Sequence, residues 1–113
     1  HTAQHVEKIF YKYFNKFKKG GIFLIDDISW LPYIKNGYRD SEWVENNNKD
    51  TFLKILEIFN SNSDNLELSF SFLHSGMAKI KKLNNKKLKL PRKIKSRKYF
   101  FKNRLRNLKA NFS

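Results

Sequence analysis

Cysteine is absent from this sequence, which excludes a disulfide scaffold and any thiolate metal site and suits a reducing interior. No apolar run approaches the roughly 20 residues of a membrane span, and no charged-then-apolar signal segment opens the chain. A soluble, cytoplasmic protein is the expectation. Proline occurs only twice, at Pro32 and Pro91, and glycine four times, so these few residues carry most of the punctuation. The second part of the chain has no acid at all. Residues 1–78 hold 9 Lys/Arg and all 10 Asp/Glu, whereas residues 79–113 hold 15 Lys/Arg and no carboxylate. The net charge of +14 therefore belongs to a basic end attached to a near-neutral body, and arguments from charge to nucleic acid apply to that end alone.

What is present fits one small domain: 113 residues, 40% hydrophobic and 16% aromatic, enough for a modest core. The chain opens at His1 with a helical pattern and no leading strand, so a piece of a longer protein is expected. Val6, Ile9, Phe10, Tyr13, Phe14 and Phe17 follow helical spacing and predict a helix over about residues 3–18, closed by Gly20-Gly21. Ile22 to Ile25 are apolar without alternation, which predicts a strand covered on both faces, the kind found in parallel α/β sheets. Residues 29–48 show no period and predict a long aromatic-bearing loop with Trp30, Tyr33, Tyr38 and Trp43. Asp50 or Asn48 is placed to cap a second helix whose stripe is Phe52, Ile55, Leu56 and Phe59. Leu66, Leu68, Phe70 and Phe72 alternate with polar residues, and a turn at His74-Ser75-Gly76 leads to a short strand from Met77, predicting a β-hairpin. Residues 81–90 read as extended or disordered, and 93–110 carry a rough helical stripe.

The segment richest in chemical meaning is Gly20-Gly21-Ile22-Phe23-Leu24-Ile25-Asp26-Asp27, a glycine turn feeding a strand that ends in two carboxylates. Adjacent strand residues point to opposite faces, so both acids reach one ion only if the chain turns at Asp26 or Asp27. The alternative is that one of them caps the following turn or accepts from loop amides. Trp30 and Tyr33 are candidate substrate contacts, since flat side chains bury much area at little entropic cost, and packing of the loop explains them equally well. His1, as an imidazole that titrates near neutrality, is a candidate base. His5 is a weaker one, and His74 reads as structural.

Helix, Gly-Gly, strand, Asp-Asp, aromatic loop, helix and hairpin, over about residues 1–82, resemble the C-terminal half of class I S-adenosylmethionine-dependent methyltransferases. Lys19 to Asp27 is similar to the "K-P-G-G-hydrophobic-D-D" stretch at the fifth strand of small-molecule O-methyltransferases of the catechol and macrocin types. The resemblance implies an α/β fold, the C-terminal part of a Rossmann-like sheet, with the final strand antiparallel beside the fifth. It implies O-methyl transfer to a small molecule or sugar, and, in the metal-dependent branch, magnesium held at Asp26 and Asp27. The glycine-rich loop and the acidic residue that hold the cofactor in such enzymes have no counterpart in this chain, so the fragment is expected to bind S-adenosylmethionine poorly and to be inactive alone. The competing reading is a non-catalytic basic module that meets nucleic acid or an anionic membrane through residues 79–113, where Lys and Arg mix with Tyr99, Phe100 and Phe101. Residues 83–113 are taken as an extension separate from the 1–82 unit.

Overall fold

A computed structural model describes residues 2–30 and 42–94. They form an α/β domain of two helices packed on one face of a three-stranded antiparallel sheet. Helix α1 spans Ala3–Tyr13 and continues into a 3-10 turn over Phe14–Lys16. Its start is fixed by Thr2, whose Oγ1 accepts from the His5 amide at 3.3 Å, the usual way of satisfying one orphan N–H of a first turn. Strand β1 follows at Ile22–Asp26, helix α2 at Glu42–Ser61, and strands β2 and β3 at Leu66–Ser71 and Met77–Lys82.

The sheet order is β1-β3-β2, with β3 antiparallel to both neighbours. The core lies between the helices and one face of the sheet: Val6, Phe10 and Phe14 from α1, Ile55 and Ile58 from α2, and Ile25, Leu66, Ala78 and Ile80 from the strands. Phe23 joins it through an edge-on contact with Phe10, centroids 5.3 Å apart. Lys54 ties the helices together, with Nζ 3.0 Å from Glu57 and 3.8 Å from Glu7.

Three expectations need correction. The strand at Ile22–Asp26 is not covered on both faces by the described residues, because both helices pack on the Phe23 and Ile25 side and leave Ile22 and Leu24 at 47% and 62% exposure. Its one strand partner among those residues is antiparallel. Helix α2 begins at Glu42 rather than near residue 50, and Asn48 and Asp50 are inside it. The first regular helix stops at Tyr13, the remaining turns being 3-10. The β-hairpin of residues 66–82 forms as its alternation predicts, with Leu68 opposite Ile80 and Phe70 opposite Ala78.

Residues 83–92 contain no regular element but lie bound to the body. The Leu83 amide donates to Asn65 O, the Asn65 side chain donates to the carbonyls of Lys86 and Lys87, and Asn62 both donates to Lys89 O and accepts from Lys89 N, at 2.9 and 2.7 Å. The Tyr11 hydroxyl donates to the same Lys89 carbonyl, Arg92 N donates to Ser61 Oγ, and Leu88 packs on the core. The rough helical stripe from residue 93 lies outside the described residues from position 95 onward. No helix among the described residues is long and apolar enough to cross a membrane.

Candidate functional site

The two carboxylates stand where β1 ends. Asp26 is the last strand residue, opposite Met77 of β3, and its side chain is exposed. Asp27 is half-buried and has φ +57°, a left-handed conformation that Asp tolerates better than most residues because its short polar side chain bonds locally. The chain therefore turns at Asp27, which meets the condition for two neighbouring acids to serve one ion.

This turn is clasped from the far side by the β2–β3 connection. Asp27 N donates to Gly76 O at 3.1 Å, and the amides of Ile28 and Ser29 both donate to Ser75 O, at 2.9 and 2.8 Å. Gly76, at φ +85°, packs so closely that a Cβ on it would stand 2.9 Å from Ile28 Cγ1, Ser29 Cβ and Ser29 N. A third support comes from α2, where buried Asn48 donates through Nδ2 to Ser29 O at 2.9 Å. Ser29 and Asn48 are almost wholly removed from water, and this bond pairs the Asn48 amide with the Ser29 main-chain carbonyl, offsetting the cost of burying those two groups.

Trp30 leaves the turn for an aromatic cluster. Its ring lies 5.1 Å from Phe52 and 6.4 Å from Phe72, and Phe52 in turn meets Phe70 at 5.0 Å. The packing role weighed for Trp30 is thus realised against α2 and the residue that follows β2, and a substrate role would fall to the part of the indole still open to solvent. Asp26 and His5 are brought to one shallow groove of about 210 Å³ between α1 and β1, shared with Val6, Ile9, Phe23, Leu24 and Ile25. His1, Tyr33 and Tyr38 lie outside the described residues, and Trp43 is on the first turn of α2, 69% exposed.

The donor chemistry of Asp26 and Asp27 suits a hard cation, which takes carboxylate oxygens. Among the described residues no group of three or more His, Cys, Asp or Glu side chains gathers, and a magnesium ion is commonly held by only one or two carboxylates together with waters. Asn48, Ser75 and Gly76, which hold the acidic turn, were not legible as site residues. The Ser-Gly pair announced a turn, but nothing in the sequence tied that turn to residue 27. The chain matches no known family model, no curated protein and no solved structure.

Proposed function

We propose that this chain is the acceptor-side, C-terminal part of a class I S-adenosylmethionine-dependent methyltransferase, one that methylates oxygen on a small molecule or sugar. The observation that carries the reading is the setting of β1. The strand that follows Gly20-Gly21 and leads into Asp26-Asp27 lies beside an antiparallel final strand, the arrangement expected from the resemblance, and β2 lies beyond that strand. The other edge of β1 has no strand partner among the described residues, and Ile22 and Leu24 are bare on the outer sheet face. An apolar edge of this kind is a liability in a finished domain, and further strands and helices of a larger sheet would remove it.

In such enzymes S-adenosylmethionine supplies an electrophilic methyl group. The residues of this chain do not fit its binding: there is no Gly-x-Gly loop of the sort that admits a cofactor close to the backbone. What the chain would contribute is alignment of the acceptor, with Asp26 and Asp27 binding its hydroxyls directly or through a magnesium ion completed by a ligand from elsewhere.

Calorimetric titration of S-adenosylmethionine into the full-length protein, followed by labelled methyl transfer to catechol and sugar acceptors, tests the reading. Saturable cofactor binding and transfer are expected, with Asp26→Asn and Asp27→Asn lowering turnover by 10²-fold or more, on the order found for groups that position or polarise the reacting atoms. Absence of cofactor binding overturns the proposal. Transfer that survives both substitutions with unchanged magnesium dependence overturns the metal role alone.

A further inference from the structure

We propose that residues 86–93 form a fixed cationic ribbon that binds the phosphate backbone of nucleic acid, independently of the methyltransferase reading. Residues 83–94 contain five cations, Lys86, Lys87, Lys89, Arg92 and Lys93, and no carboxylate. A charge run of this kind is usually a mobile, solvated appendage. Here the main chain is held instead. Carbonyls of Lys86, Lys87 and Lys89 accept from Asn65, Asn62 and Tyr11, and amides of Lys86, Lys89 and Arg92 donate to Asn84, Asn62 and Ser61.

These bonds occupy backbone groups and leave the charges outward, since the side chains of Lys86, Lys87, Lys89, Arg92 and Lys93 are all exposed. The anchors are neutral amides and hydroxyls, so none of the positive charge is consumed in fixing the segment. Lys8, one helical turn before Tyr11 and exposed, adds to the same side of α1. Glu7 of α1 and Glu57 of α2 both pair with Lys54. Asp64, in the turn between α2 and β2, takes a hydrogen bond from Ser63 on its carboxylate and from Asn84 on its carbonyl.

A fixed row of cations favours a polyanion over isolated ions, because each phosphate neutralised releases condensed counterions, while the ordering cost of the protein side is already met. Between the two polyanionic surfaces available, the apolar side chains decide. Insertion into a bilayer needs a set of protruding apolar groups, but among the described residues of the ribbon Leu88 is committed to the core and Leu90, 78% exposed, is the one apolar side chain that protrudes far, Leu83 before it being only 36% exposed. An aqueous phosphodiester backbone fits better.

Fluorescence anisotropy with labelled single-stranded 20-mers, measured over a salt series on the whole chain, is the test, with phosphatidylserine vesicles as the comparison. Replacing Lys86, Lys87, Lys89 and Arg92 together by Gln should flatten the slope of log affinity against log salt by about 3, given roughly 0.7 per phosphate contact on single strands. Asn62→Ala with Asn65→Ala keeps every charge but frees the ribbon, and should weaken binding at least about threefold at a temperature where circular dichroism shows the fold intact. Unchanged affinity and slope in the four-Gln variant overturn the proposal, as does preference of the native chain for vesicles over the oligonucleotide. Unchanged binding in the double alanine variant overturns the fixed presentation.

Discussion

Two glycines with nearly the same φ separate backbone strain from steric fit. Gly20 (φ +88°) has nothing within 4 Å of a virtual Cβ, whereas Gly76 (φ +85°) meets three atoms at 2.9 Å. Gly20→Ala should therefore cost about 1 kcal/mol, the left-handed penalty alone. Gly76→Ala should cost about 3 kcal/mol or more, because Ile28 and Ser29 must also shift, and urea denaturation of the two variants measures the difference. Lys82 is the other singular residue. Its side chain is among the most buried in the domain, and Nζ donates to Phe14 O and Phe17 O at 3.2 and 2.8 Å while lying 4.5 Å from the Phe14 ring centroid. A cation here satisfies carbonyls at the end of the first helical segment and complements its dipole. Lys82→Met keeps most of the packing and Phe14 O keeps the Phe17 amide as a donor, but Phe17 O loses the ammonium, so a loss of about 2 kcal/mol is expected in thermal or urea unfolding.

Among the elements, those defined by apolar periodicity were legible and those defined by polar contacts were not. Val6, Phe10 and Phe14 form the buried stripe of the first helical segment, and Leu66, Leu68 and Phe70 the inner face of β2, because a 3.6 or a 2.0 period repeats in their spacing. The buried row of α2 is Asn48, Thr51, Ile55 and Ile58, continued by Asn62 just beyond the helix. Its spacing is equally regular, but three of the five are polar, so the apolar pattern begins too late and the helix was set to start near residue 50. Asn62 and Asn65 likewise read as loop residues, although their amides organise the ribbon. The turn at Asp27 was foreseen as a condition, whereas its clasp by Ser75 and Gly76 depends on contact between residues nearly fifty positions apart. Tyr11 gives the ribbon a pH signature. Burial is the largest influence on its phenol, followed by the opposing effect of Asn62 and the charge of Glu7, and the result is a raised pKa. A raised folded-state value means that the stabilisation is complete below the unfolded value of about 10 and is lost as pH rises through the higher folded value. Stability should thus decline above about pH 10, and Tyr11→Phe should reduce that part of the decline in pH-dependent melting.

At the scale of the whole molecule, charge and structure divide at different places. Charge divides at residue 79, within β3, while ordered packing continues at least to Arg92. Truncation after Lys82 removes Leu88 from the core, takes from Asn65 and Tyr11 the carbonyls their side chains donate to, and leaves Asn62 with its bond to Ile58 O but without Lys89. Such a chain should melt several degrees lower than the intact protein, since a loss of about 1 kcal/mol moves the midpoint of a domain this size by roughly 4–8 °C. The ribbon also concentrates lysine and arginine, the residues after which trypsin cuts, in a segment whose amides and carbonyls are held by the body. A protease needs the chain extended and free, so cleavage after Lys86, Lys87 or Lys89 has to wait for the segment to lift away. The stretch whose composition most invites digestion is protected by three asparagine and tyrosine side chains, and the lag before those cuts reports how often they let go.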